Sequence, residues 1–168
     1  MDVFQAVSTV LAVRDYQNKP VPKEVVQRIA EAGRLTASSM NGQPWHFIVV
    51  ENKDTLRQLG SMARTGPYIA KAALAIVVAT DASKFAESDA SRAIQSMVLT
   101  AWADGIGSNW VGFHGLDNVK PLLGIPQNVD VLAIVPFGYP AKTIGKGKKN
   151  RKPLPEVVNS EKFGQPYK

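Results

Sequence analysis

The densest concentration of side chains able to direct hydrogen bonds lies in Ser38-Ser39-Met40-Asn41-Gly42-Gln43-Pro44-Trp45, where two hydroxyls and two side-chain amides precede a proline. Such a loop presents donors and acceptors in fixed directions, which suits the polar edge of a heterocycle. The same composition also suits an elaborate turn capping a preceding helix, and composition alone leaves both readings open. The usual catalytic sets are absent: there is no G-x-S-x-G elbow, no G-x-x-x-x-G-K-[ST] loop and no G-x-G-x-x-G after a strand. The two histidines, His46 inside a strand pattern and His114 after Gly112-Phe113, lack metal-ligand spacing, so no metal site is expected. Zero cysteines exclude disulfides, thiol catalysis and cysteine ligation of iron–sulfur clusters by these residues. With neither nucleophile nor metal, a borrowed cofactor is the economical source of chemistry.

The charge is unevenly placed. Lys142, Lys146, Lys148, Lys149, Arg151 and Lys152 carry the whole net charge of +6, because the other 14 basic residues match the 14 acidic ones. A nucleic-acid surface would spread its cations over a face and interleave aromatics. Here they lie around Gly145 and Gly147, with no aromatic between Tyr139 and Phe163. The stretch reads either as a solvated loop or as a clamp for a phosphate group, and no nucleic-acid partner is expected.

The elements that must position these residues follow from periodicity. Helices are expected over 2–11 (Phe4, Val7, Val10 and Leu11 on one side), 22–35 (Val25, Ile29, Ala32 and Leu35), 53–63, 86–104 and 119–123. Strands are expected over 46–51, 73–80, 108–112 and 130–138. The apolar runs ALAIVVAT and DVLAIVPFG read as strands buried on both faces, so a single α/β or α+β layered domain with a central sheet follows. A chain of this length buries roughly 70% of its unfolded surface. Residues 141–168 are too long and unpatterned for an ordinary loop, and read as a disordered tail or as an extended arm packed on a second subunit. No apolar run is long enough to span a membrane, and the first residues lack the features of a signal peptide, so a cytoplasmic location with no membrane partner is expected.

Taken in order, the landmarks resemble those of the FMN-dependent nitroreductase family. Ser38-Ser39-x-Asn41-x-Gln43-Pro44-Trp45-His46-Phe47 is similar to its signature loop. Val13-Arg14-Asp15-Tyr16 with Pro20-Val21-Pro22-Lys23-Glu24 is similar to its N-terminal flavin segment and second-helix start. Gly105-Ile106-Gly107-Ser108-Asn109-Trp110-Val111-Gly112 resembles the strand beside the flavin ring. Leu122-Leu123-Gly124-Ile125-Pro126 and Phe137-Gly138-Tyr139-Pro140 match later landmarks, and Arg151-Lys152-Pro153-Leu154 with Glu156-Val157-Val158 resembles the phosphate-binding tail.

The resemblance implies an α+β, three-layer fold: a central mixed sheet flanked by helices, with a C-terminal arm exchanged in a homodimer. It implies tightly bound FMN at two interface sites, NADH or NADPH as electron donor, and ping-pong reduction of nitroaromatics, quinones or related acceptors. Arg14 would reach the phosphate or ribityl region, and Arg151 with Lys149 would bind the phosphate. Ser38, Ser39 and Asn41 would come from the partner subunit or meet the ring edge. Gln43 and Pro44 would support the site, and Val111 and Gly112 would lay backbone along the flavin. The loop Thr65-Gly66-Pro67-Tyr68 is a further candidate. No protein general base is implied, so no catalytic residue is named. Relatives on this fold also include dehalogenases, azoline oxidases and flavin-destroying synthases, and a non-catalytic flavin-binding module is a further alternative. One departure stands out: where the family has Arg-Arg-Ser, this chain has Val10, Leu11 and Ala12.

Overall fold

The computed structural model describes residues 1–113, 115–142, 144 and 149–167; His114, Thr143, Gly145, Lys146, Gly147, Lys148 and Lys168 lie outside the described residues. In chain order the elements are α1 (Val3–Thr9), α2 (Lys23–Arg34), β1 (Trp45–Val50), α3 (Lys53–Met62), β2 (Leu74–Asp81), α4 (Ala86–Ala103), β3 (Gly107–Ser108), α5 (Lys120–Leu123), β4 (Val129–Gly138) and α6 (Leu154–Val157). The strands lie in the order β1-β2-β4-β3. Every strand ladder is antiparallel, and the parallel component that makes the sheet mixed is an isolated bridge between Ala12 and Ser108.

The two central strands are apolar on both faces because each face meets its own helical layer. Leu74, Ile76 and Val78 of β2 join Val26 and Ile29 of α2 and Ile94 and Met97 of α4. The intervening Ala75, Val77 and Ala79 point the other way, onto Leu56 and Leu59 of α3. This is the period-two alternation of a strand dividing one continuous apolar run between two cores. β4 does the same, with a change of phase. A register shift beside Val78 and Ala79 leaves Leu132 without a partner in the ladder. Val131 therefore belongs to the α3 layer, while Leu132 and Ala133 both belong to the α2–α4 layer.

Local chemistry sets the helix ends. Asp2 caps α1 in a reciprocal box, its carboxylate accepting from the Gln5 amide at 2.7 Å while the Gln5 side chain accepts from the Asp2 amide at 3.1 Å. The Asn52 side chain accepts from the amides of Asp54 and Thr55, both at 3.0 Å, and starts α3.

Four expectations are corrected. On α1 the buried residue is Ala6, whereas Phe4 is 79% exposed and Val7 is also exposed. On α2 the buried stripe runs through Val26, Ile29 and Gly33, one position round from the expected one, and Leu35 lies beyond the helix in solvent. The expected strand 108–112 contracts to Gly107–Ser108, with a separate bridge pairing Val111 to Ile134 at 2.9 Å in both directions. The tail is not featureless: it holds α6 and a bridge between Asn159 and Pro166. Among the described residues no helix is long and apolar enough to cross a membrane.

Gly107 is where the N-terminal segment crosses the sheet edge. A Cβ there would stand 2.3 Å from a methyl carbon of Val13, which is itself 3% exposed. We expect Gly107→Ala to lower the unfolding free energy by about 2 kcal/mol, the ordinary cost of overpacking. Urea denaturation of the variant checks this, with an unchanged midpoint as the contrary result.

Candidate functional site

The segment after α2 leaves the helix through Thr36, whose hydroxyl donates to the Ala32 carbonyl at 2.9 Å and meets the Ser96 hydroxyl at 2.8 Å. The chain then makes a single 3-10 turn at Ser39–Asn41 and enters β1. Three non-glycine residues of this loop have left-handed backbone: Met40 (φ 54°), Asn41 (φ 56°) and Gln43 (φ 46°). Each such residue costs roughly 1–2 kcal/mol against the right-handed region, somewhat less for Asn. The loop offsets this partly from within. The Gln43 amide donates to the Ser38 hydroxyl at 3.0 Å, and the Gln43 side chain donates to the Asn41 carbonyl at 3.2 Å. Met40 is 94% exposed, so the turn thrusts an apolar side chain into solvent. Pro44 is buried, and its carbonyl accepts from the Asp81 amide at 2.8 Å, tying the loop's end to the sheet.

On the other side the loop is held by α4. The Asp89 carboxylate is 1% exposed and accepts from the Ser39 amide at 3.1 Å on both oxygens and from the Ser39 hydroxyl at 2.9 Å. Arg92, one turn on, pairs with the same carboxylate and reaches the Ser39 hydroxyl at 3.3 Å. Burial pushes the Asp89 carboxyl up, but the Ser39 bonds and the guanidinium prevail and hold it below the ordinary carboxylate range. Sequence reasoning missed both residues. A signal was present: Asp89 is a charged position on the stripe formed by Ala86, Ala90, Ala93 and Ile94.

The N-terminal flavin-like segment is built differently. Val13 is pinned by its amide, which donates to the Ser108 carbonyl at 2.8 Å, and Tyr16 by its hydroxyl, which donates to the Val13 carbonyl at 2.7 Å. Burial, helped by Tyr68 and only partly countered by Arg14, pushes the Tyr16 phenol well up, so it stays neutral. Between these two buried anchors Arg14 points outward, its guanidinium carbon 6.0 Å from the centre of the Tyr68 ring. The Asn109 side chain donates to the Tyr68 hydroxyl. Arg14 also lines an open cleft of about 280 Å³ with Ala12, Pro140, Lys142 and Ile144. The Ala141 amide donates to the Asp15 carbonyl at 3.0 Å, which staples the two walls together.

Val111 is buried, and the next residue, Gly112, takes φ 78°. A Cβ at Gly66 would lie 2.4 Å from a methyl carbon of Val111, so glycine is what lets the Val111 side chain pack directly on the backbone of the Gly66–Tyr68 turn. In the tail, Lys149 donates to the Val7 carbonyl near the end of α1 at 2.6 Å, while Arg151 is exposed. The side chains proposed from sequence therefore fall into three groups: Arg14 with Tyr68 and Asn109, the Ser38–Pro44 loop with α4, and Lys149 against α1. Among the described residues no hydrogen bond, ion pair or ring contact joins the Ser38–Gln43 side chains to Arg14. Nor does any group of three His, Asp or Glu side chains there suit a metal ion.

Comparison with known proteins places this arrangement. The nitroreductase family model matches residues 11–83 and 65–139. A Methanothermobacter thermautotrophicus protein named as an NADH dehydrogenase/NAD(P)H nitroreductase is 34% identical over 154 residues, covering 86% of this chain and 81% of its own. An FMN-dependent nitroreductase from Clostridium difficile superposes with a TM-score of 0.88 at 26% identity, over 95% of this chain and 99% of that one. A Desulfovibrio desulfuricans nitroreductase-like protein crystallised in complex with FMN gives a TM-score of 0.82 at 28% identity, over 97% and 98% of the two chains. The matched span holds the Ser38–Pro44 loop, Arg14 and the Val111–Gly112 strand alike, and the chain belongs to the nitroreductase family.

Proposed function

We propose that the chain is an FMN-dependent NAD(P)H oxidoreductase that works as a homodimer, with its flavin sites between subunits. The observation that carries the reading is the split of the site. One chain offers a polar loop at Ser38–Pro44 and a cationic edge at Arg14 as separate groups, which suits a ligand bound where two copies meet.

The residues fit the group. Ser38, Asn41 and Gln43 supply donors and acceptors for a ring edge, while Ser39, whose amide and hydroxyl are taken by Asp89, fixes the loop, and Gln43 and Pro44 also brace it. Val111 and Gly112 would lie along the flavin as a fixed wall, because the Val111 amide and carbonyl are both committed to Ile134 and the left-handed Gly112 packs on Leu116. Arg14 is suited to the phosphate or ribityl region, because its guanidinium remains charged and offers two parallel bonds to phosphate oxygens. With Val10, Leu11 and Ala12 neutral, the other cations for the phosphate are Lys149 and Arg151 of the tail. FMN, when bound, supplies acceptance of a hydride from NADH or NADPH and its delivery to a nitroaromatic, quinone or related acceptor. The protein's part is binding, orientation and exclusion of water; the neutral Tyr16 phenol is committed to the Val13 carbonyl and holds its own proton.

The dimer draws support from exposed apolar groups at both ends of the chain. Val3, Phe4 and Val7 on α1, with Leu154, Val157, Phe163 and Tyr167 in the tail, all lie in solvent in the isolated chain. We infer that residues 141–168 form an arm exchanged between subunits of one-domain protomers.

Three outcomes test these statements. The freshly purified protein should be yellow and should bleach on anaerobic addition of NADH or NADPH; a protein left colourless after incubation with excess FMN sinks the reading. Arg151→Ala should weaken FMN binding about tenfold, as for loss of one charge-assisted contact, and leave riboflavin affinity unchanged. Equal losses for both flavins in a fluorescence titration remove Arg151 from the phosphate. Truncation after Pro140 should yield flavin-free monomer or aggregate by size-exclusion chromatography, and a flavin-loaded monomer refutes the exchanged arm.

A further inference from the structure

The Ser38–Gln43 loop is held in shape by the chain's own side chains, and Asp89 holds it at the residue where its left-handed turn begins. Ser39 is followed directly by Met40 and Asn41, both left-handed. The Asp89 carboxylate takes the Ser39 amide and hydroxyl together, which fixes the direction in which the chain enters that turn. The Ser38 hydroxyl closes the turn from the other end by accepting the Gln43 amide. Asp89 itself sits on the buried face of α4 among alanines, where a carboxylate is costly unless donors surround it. Its donors are Ser39 and Arg92, so the charge is spent on one loop residue and on the cation that backs it. Arg92 spans the pair, bonding both the carboxylate and the Ser39 hydroxyl.

We propose that Asp89, backed by Arg92, is a positioning residue for the flavin site: it clamps Ser39 and so presents the Ser38–Gln43 loop in its binding shape, without touching the flavin. The inference rests on the flavin reading above. A preorganised loop binds without having to be ordered first, whereas a released loop relaxes towards right-handed backbone and must be rebuilt by each incoming ligand.

The test uses the full chain stripped of flavin, and reads the FMN dissociation constant by fluorescence quenching, the visible circular dichroism of bound flavin, and the melting temperature of the apoprotein. Asp89→Asn keeps the side-chain volume but removes one acceptor and the charge. It is expected to raise the dissociation constant at least tenfold and to alter the visible dichroism. Arg92→Gln, at a half-exposed side chain, is expected to raise the constant two- to fivefold. Asp104→Asn serves as the control, because it weakens the 2.5 Å pair with Arg28 at the C-terminal cap of α4, away from the loop. It is expected to leave both flavin readouts at wild-type values, whatever it does to melting. Wild-type affinity and dichroism in both clamp variants overturn the proposal, even if melting falls. Should Asp89→Asn fail to fold, Arg92→Gln decides alone. Wild-type protein that takes up no FMN overturns the flavin reading and the clamp with it; normal uptake with unchanged variants overturns the clamp only.

Discussion

The antiparallel pairing of β2 with β4 is the constraint on which the rest of the molecule depends. Both strands are buried on both faces, so successive side chains alternate between layers except at the Leu132–Ala133 step, where the register shifts. Without this pair the α2–α4 layer and the α3 layer would have no common wall, and neither could exclude water alone. The pairing also fixes what can happen at the edges. β1 is carried on one side of β2, which delivers the Ser38–Pro44 loop beside the start of α4. β3 and Val111 are carried on β4, which delivers Asn109 and Gly112 beside the incoming N-terminal segment.

The site groups are therefore peripheral to the sheet but not loosely held. The N-terminal segment is fixed by backbone bonds at Val13 and Asp15 and by a buried tyrosine, and the side chains turned outward between Val13 and Tyr16 are those of Arg14 and Asp15. The polar loop is fixed by a buried carboxylate, and the left-handed Met40 and Asn41 face solvent. In both places rigidity comes from atoms that face inward, and chemistry is left to those that face outward. That division fits a protein whose reactive atoms belong to a bound group rather than to its own side chains.

Much of this could be read from sequence because the strongest signals were local. The runs 73–80 and 130–138 had no polar residue where a core demanded none, and both are strands within a residue or so at each end. The loop at 38–44 stood out by composition and is irregular, as expected, though nothing in its residue types announced three left-handed backbones. The errors cluster where tertiary packing overrides periodicity. The stripe on α2 shifted because Gly33, which has no side chain to count as apolar, lets Phe47 and Met97 approach that face. On α1 the apolar residues were recognised but assigned to a core that lies on the opposite side of the helix. Asp89 and Arg92 escaped because a carboxylate interrupting an apolar stripe does not reveal which segment, here a loop 50 residues away in sequence, it bonds.

The exposed apolar groups also set an order of events during synthesis. Phe4 and Val7 are synthesised about 150 residues ahead of Leu154, Val157 and Phe163. At about 5–20 residues per second, roughly eight to thirty seconds separate the two apolar groups. In the proposed dimer the nascent α1 stays uncovered throughout that interval, since the arm that would shield it belongs to a finished partner. Newly made chains would thus depend on chaperones, or on neighbours from the same message whose arms are already made, in proportion to how slowly residues 141–168 are translated.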